Sequence, residues 1–351
     1  MAASNIDLPV IDLKKAQDPA KRLDVARKLV HALETVGFLY IDNAKDLDSQ
    51  KLMTNTRWFF SLPDEEKQQL SRRQWNPFSR NRYRGYFPLQ EGEISYKEGF
   101  EIGQEIPPDD DTIHPFFNEP NVWPAGLEGS RAFHSDMVEY YYAATHCGAE
   151  ILRLVSLGCD LGEEWFEDMF FPNSLSTLRL LHYPARYGDV PDEAVDDGTV
   201  LCCSEHSDSG FVTLLDTFAY KGLQIRLEGG QWLDVPCRPG SLVMNIGDML
   251  SAMSGGRFKA TCHRVVDTGV DRMSVPFFFE PNYDADISCI MPSGPVASSS
   301  TATTLQQFCG KKSKVAGGTQ YGTWLIEKMR SFAEYRDILS EFKFGSSGSR
   351  A

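Results

Sequence analysis

Seven consecutive residues, Ser204-Glu205-His206-Ser207-Asp208-Ser209-Gly210, carry the first chemistry to be read from the chain. They set an imidazole and a carboxylate two positions apart, after the apolar run Val200-Leu201-Cys202-Cys203 and before Phe211-Val212-Thr213-Leu214-Leu215. On extended backbone, residues i and i+2 point to the same face, so His206 and Asp208 converge. A second histidine, His263, lies in another strand-like run, Ala260 to Val266. Two imidazoles and one carboxylate on one side of an ion, with the opposite positions open, make the facial set that suits non-haem Fe(II). Zinc accepts the same donors with water as a fourth ligand. The three side chains therefore predict a metal site without fixing its reaction.

The elements that must hold these residues follow from periodicity. From Leu178 onward, short apolar segments recur at 178–183, 200–206, 211–216, 223–227, 231–235, 241–246, 259–266 and 273–280, broken by Gly, Pro and Asp. Such spacing predicts a mainly β fold with a closed double sheet, a double-stranded β-helix or jelly roll. The first half reads differently. Leu8 to Leu13 is a short strand, Asp18 and Pro19 cap and open a helix, and Leu23, Ala26, Val30, Leu33 and Val36 recur at helical spacing up to Gly37. Phe38 to Ile41 reads as a strand, and residues 45–62, 63–67, 126–157 and 163–170 read as helices. Residues 71–125 are Arg-, Pro- and Gly-rich and predict a long irregular segment. Residues 291–319 read as a polar loop, 321–341 as helix and 345–351 as a frayed tail. With no repeat or linker, the expectation is a single domain over 1–351: a helical region (1–175), a jelly-roll core (176–285) and a C-terminal loop with helices (286–351).

Composition narrows the partners. A formal charge of −14 argues against nucleic acid or an anionic membrane as a partner. No basic segment followed by an apolar stretch opens the chain, and no apolar run reaches the ~18–20 residues of a membrane span. The 8 cysteines are scattered without a Cys-x-x-Cys pair, which predicts free thiols in a reducing, cytoplasmic setting. No protein partner is evident.

A wider motif surrounds the triad. His206-x-Asp208 is followed, after 54 residues, by His263 and then by Arg272-Met273-Ser274; Tyr183 stands before Pro184. Together with Gly37-Phe38-Leu39-Tyr40, Phe59 to Pro63, Arg84-Gly85-Tyr86, Glu98 to Glu101 and Pro239 to Asp248, this resembles the isopenicillin N synthase-like branch of the Fe(II)/2-oxoglutarate-dependent oxygenases over most of the chain. The resemblance implies that His206, Asp208 and His263 bind Fe(II). It implies that Arg272 and Ser274 hold the distal carboxylate of 2-oxoglutarate, with Tyr183 as a further cosubstrate contact. A guanidinium makes a bidentate, charge-assisted pair with a carboxylate, and on a strand Arg272 and Ser274 share a face. The implied activity is a dioxygenase: O2 and 2-oxoglutarate are consumed, succinate and CO2 are released, and a small-molecule substrate is hydroxylated, desaturated or cyclised. Departures from the family are Glu205, where Ala or Pro is common, Leu181, where many plant members carry Asn, and Ser254-Gly255-Gly256, where they carry Ser-Asn-Gly.

Substrate contacts are expected from Arg82, Tyr83 and Phe279, with Tyr86, Tyr321 and Trp324 in segments that border the barrel mouth in the family. The remaining histidines, His31, His114, His134, His146 and His182, read as surface or structural. Two rivals stand beside the dioxygenase: a same-fold oxidase that uses no 2-oxoglutarate, and a non-catalytic metal-containing binding protein. A zinc hydrolase is a distant third.

Overall fold

The computed structural model describes residues 5–90, 92, 94–106, 119–288, 291 and 320–329. The expected loop over 291–319 (apart from residue 291), most of the helix after Met329, the tail, the acidic run at 109–111, His114, Cys289 and Cys309 lie outside the described residues.

The chain opens with β1 (Val10–Asp12), the short α1 (Leu13–Ala16) and α2 (Pro19–Thr35). Asp18 caps α2 by accepting the Ala20 N–H at 3.0 Å, with Pro19 at the first helical position, where its missing donor costs nothing. Gly37, at φ +72°, turns the chain into β2 (Phe38–Asp42); a Cβ there would collide with the Lys259 carbonyl. Helices α3 (Ser49–Phe60) and α4 (Asp64–Gln69) follow, then β3 (Gly85–Phe87), β4 (Glu98–Ile102), the long α5 (Ser130–Gly158) and the brief α6 (Glu167–Phe170).

Thereafter the chain is strand-rich: β5 (Thr177–Tyr183), β6 (Val195–Asp196), β7 (Thr199–His206), β8 (Val212–Asp216), β9 (Leu223–Arg226), β10 (Trp232–Asp234), β11 (Ser241–Ile246), β12 (Cys262–Val266) and β13 (Arg272–Phe279). Helix α7 (Asp248–Met253) interrupts this run and α8 (Tyr321–Met329) closes the described chain. The strands form two sheets, an eight-stranded one in the order β1-β2-β11-β8-β13-β5-β4-β3 and a five-stranded one in the order β10-β9-β12-β7-β6. All eight expected strands are present, and the fold is the jelly roll with flanking helices that the sequence predicts.

Side-chain alternation sorts each strand of the larger sheet between two interiors. On β13, Met273, Val275, Phe277 and Phe279 join the main core with α2, α3 and α5. Phe279 stacks on Phe170 at 4.4 Å and presses against Gly148 of α5, where a side chain would not fit. The other face looks toward the five-stranded sheet: Leu181 and Tyr183 of β5 pack with Cys202 of β7 and Val265 of β12, and Phe38, Tyr40 and Val243 pack with Ile225 of β9. The space between the sheets is where the site lies.

The segment 71–125 departs from its expected irregularity by holding β3 and β4, which extend the larger sheet beyond β5. Every residue of β4 is buried, including Glu98 and Glu101. Glu101 pairs with Arg179 at 2.5 Å; Glu98 meets Lys67 at 2.9 Å and His182 at 2.7 Å. Charges matched across distant segments take the place of the apolar alternation that marks a strand.

Candidate active site

His206 ends β7, His263 sits on β12, and the two are directly paired across the ladder. Asp208 lies just past the end of β7. Its Oδ1 is 3.8 Å from His206 Nε2 and 3.6 Å from His263 Nε2, and ligand atoms of all three lie within 4.8 Å of one another. Donors bonded at ~2.1 Å to one ion stand at most ~4.2 Å apart, so both measured pairs suit a shared ion.

The surroundings preset these donors. His206 Nδ1 donates to the Ser204 carbonyl at 2.9 Å and His263 Nδ1 to the Thr261 carbonyl at 3.1 Å. A carbonyl only accepts, so each ring carries a proton on Nδ1 and leaves Nε2 as the nitrogen for ligation. Asp208 Oδ2 accepts from Thr213 Oγ1 at 2.6 Å and Asn245 Nδ2 at 2.7 Å, which leaves Oδ1 for an ion. Burial works against the Asp208 charge, but the two imidazoles and these bonds outweigh it and hold the carboxyl below its usual range. Burial is also the main reason why the His263 pKa is lowered, favouring the neutral ring that ligation needs. A carboxylate, two ring nitrogens and a fixed second layer fit a divalent first-row metal.

The sequence-predicted cosubstrate residues form a second group between the sheets. Arg272 pairs with Tyr183 and Ser274 with Leu181 across the β13–β5 ladder. Arg272 is 4% exposed and its guanidinium lies 3.8 Å from the Tyr183 ring centroid. Its Nη2 has no hydrogen-bond partner among the described residues. A buried cation with an unmet donor, beside the Ser274 hydroxyl, fits a carboxylate.

A cavity of about 780 Å³ opens beside the triad, lined by His206 and Asp208 and by Tyr83, Arg179, Phe278 and Glu280 among others. Of the three expected substrate residues, only Tyr83 lines it. Arg82 is half-buried and is not among the lining residues; its backbone N–H donates to Glu119 at 2.7 Å. Phe279 is corrected by one position: it is fully buried among the helices, and Phe278 faces the cavity. Alternation from Arg272 carries the signal for this, because Arg272, Ser274, Phe278 and Glu280 fall on one face. Arg179 is reached in the same way from Tyr183 along β5. Tyr321 also lines the cavity, Tyr86 bonds Glu98 at 2.5 Å, and Trp324 is buried outside it. Glu205 pairs with Arg226 at 2.7 Å; His182 faces away, between Glu98 and Asp271.

A jelly roll that brings two imidazoles and a carboxylate together beside a large cavity fits the non-haem iron oxygenase class. Known proteins narrow it further. Residues 175–281 match the 2OG-Fe(II) oxygenase superfamily, and residues 8–126 match the N-terminal region of non-haem dioxygenases in morphine synthesis. The chain is 32% identical over 301 residues to the 2-oxoglutarate-Fe(II) type oxidoreductase hxnY of Emericella nidulans, covering 80% of this chain and 82% of that protein. It is 33% identical over 304 residues to the homoarginine-6-hydroxylase of Arabidopsis thaliana, covering 81% and 88%. Among solved structures, a full-length Neurospora crassa protein in complex with alpha-ketoglutarate and 5-formyluracil aligns with a TM-score of 0.72 at 26% identity, covering 95% of this chain and 100% of that one. The chain belongs to the 2OG-Fe(II) oxygenase superfamily. It is an Fe(II)- and 2-oxoglutarate-dependent dioxygenase that uses O2 to oxidise a small molecule. Among the described residues, no helix is long and apolar enough to cross a membrane.

Proposed function

We propose that His206, Asp208 and His263 hold the Fe(II), that Arg272 and Ser274 bind the distal carboxylate of 2-oxoglutarate over the Tyr183 ring, and that the substrate enters the cavity beside His206 and Asp208. When bound, the iron supplies oxygen activation coupled to decarboxylation of the keto acid. The chain's own residues do the rest. Thr213 and Asn245 aim Asp208, the Ser204 and Thr261 carbonyls fix the two imidazole tautomers, and Arg272 sets the direction of the keto acid. Phe278 and Tyr83 form walls that limit water and position the oxidised carbon.

The observation that carries this reading is the convergence of three ligand atoms at the edge of the cavity. The shared eight-stranded sheet, which takes β1 to β4 from the first part of the chain, supports one oxygenase domain over 1–351. The free thiols of Cys147, Cys159 and Cys202 support a cytoplasmic setting. The Neurospora crassa structures with thymine and 5-formyluracil support a substrate of about that size.

Anaerobic reconstitution with Fe(II) and 2-oxoglutarate tests the site: a weak visible absorption band from the iron–keto acid chelate is expected in the wild type and absent from His206→Ala. Air exposure with a metabolite panel that includes thymine then tests the reaction. Succinate release tied to one substrate supports the reading; oxidation without succinate would favour the oxidase alternative.

A further inference from the structure

Glu280 is an ionisable side chain in the cavity that the chemistry above leaves unused. It follows the last residue of β13 and shares the inward face with Arg272, Ser274 and Phe278. Its backbone is fixed: Ser174 Oγ donates to its carbonyl at 2.7 Å and its own N–H donates to Ser176 Oγ at 3.0 Å. The Tyr321 hydroxyl of α8 donates to its Oε2. The carboxyl lies close against Gly210, two residues beyond Asp208, and a Cβ at Gly210 would overlap it. An apolar residue would build the same wall without the cost of burying a carboxyl.

The charged groups around it make an anionic form unfavourable. Asp208 lines the same cavity and carries like charge, whereas Glu205 is paired with Arg226 at 2.7 Å. The two cations of the lining are committed elsewhere, Arg179 to Glu101 at 2.5 Å and Lys328 toward Asp248 at 3.9 Å. Burial, ahead of every other cause, pushes the Glu280 carboxyl up to about 8. In its protonated form the carboxyl offers a donor beside an acceptor, the complement of the N–H and C=O of a cyclic amide.

Resting on the iron site proposed above, we propose that Glu280, oriented by Tyr321, is a substrate-binding residue, and that it selects uncharged small molecules with an amide, imide or lactam edge over carboxylates. A substrate carboxylate at this end of the cavity would set acceptor oxygens against the acceptor oxygens of Glu280 instead of completing its donor–acceptor edge.

The test is equilibrium binding by calorimetry to the full chain, loaded anaerobically with Fe(II) and 2-oxoglutarate. The probes are 2-pyridone, succinimide and uracil against benzoate and phenylacetate. At least one cyclic amide is expected to bind the wild type about tenfold or more tighter than either carboxylate, the scale of one well-made hydrogen bond plus avoided repulsion. Glu280→Gln, an isostere of the neutral acid, should keep that affinity within about threefold, and Glu280→Leu should lose about tenfold. The wild-type preference for amides needs no variant, so it decides the matter even if Glu280→Leu does not fold. Carboxylates binding as well as amides, no amide binding at all, or an unchanged affinity in Glu280→Leu would each overturn the proposal. Loss of the chelate band in the wild type would instead count against the iron site; the same probes titrated into the metal-free chain would then still decide the role of Glu280.

Discussion

Replacing Arg272 by Met separates cosubstrate binding from structural support, because the two roles predict opposite outcomes in two assays. In the ligand-free protein the guanidinium is buried and its Nη2 is unmet among the described residues. Leaving a buried donor unmet costs about 1–3 kcal/mol. The stack on Tyr183 returns about 0.5–2 kcal/mol, and Met preserves part of that contact through its sulfur. The terms nearly cancel, so ligand-free Arg272→Met should melt within about 4 °C of the wild type. The 2-oxoglutarate complex should behave otherwise. Removing one partner of a desolvated charge pair costs about 2–5 kcal/mol. At about 1.4 kcal/mol per decade, the affinity for 2-oxoglutarate should fall roughly 30- to 4,000-fold. Anaerobic titration of 2-oxoglutarate into Fe(II)-loaded protein, followed at the chelate band, reads the second quantity, and a thermal melt of the ligand-free chain reads the first. A large drop in melting temperature with unchanged affinity would make Arg272 a structural residue and refute the reasoning.

Three further outcomes are expected. Asn245→Ala removes one of the two bonds that aim Asp208 Oδ1, and metal titration should show about 10- to 100-fold weaker binding with the fold intact. Phe279→Ala should cost about 3–5 kcal/mol in denaturant melts while the 2-oxoglutarate affinity stays unchanged, whereas Phe278→Ala should cost less and alter small-molecule binding instead. For His182, burial lowers the pKa, but the bonds to Glu98 and Asp271 outweigh it and raise the value above 6.5. Its protonated form therefore stabilises the fold below the unfolded value, and that contribution is lost as pH rises through the higher folded value. With Asp271 largely exposed, the contribution is about 1 kcal/mol. The gap in melting temperature between wild type and His182→Gln should accordingly be wider at acidic than at alkaline pH.

What the sequence makes legible here depends on whether the cause is local. The eight strands from Leu178 onward could be read because each buries one face and alternates within itself, and the cap at Asp18 because it satisfies its own helix. The triad could be read because His206 and Asp208 share a strand end and His263 stands in a strand of its own. Strands β3 and β4 escaped because their stability is not local. Glu98 and Glu101 interrupt the apolar alternation of a strand, and the Lys67, His182 and Arg179 that pair with them come from other segments. The six-residue α7 is too short to show a period of 3.6 residues.

The substrate wall was missed for a different reason, and it bears on how such sites can be read. β13 alone carries the proposed cosubstrate anchor, a wall of the cavity and part of the helix-facing core. Its composition, with Phe277, Phe278 and Phe279 in succession, hides which face each ring takes. Alternation counted from Arg272 resolves it: even-numbered positions face the barrel interior and odd-numbered ones the helices. The same count places Glu280 inward, on the wall of the cavity. The names of two relatives point to different substrates, 1-aminocyclopropane-1-carboxylate and homoarginine, so family membership alone does not fix the substrate. On the proposed reading, the register of one strand sets both where the keto acid is anchored and which polar group faces the substrate.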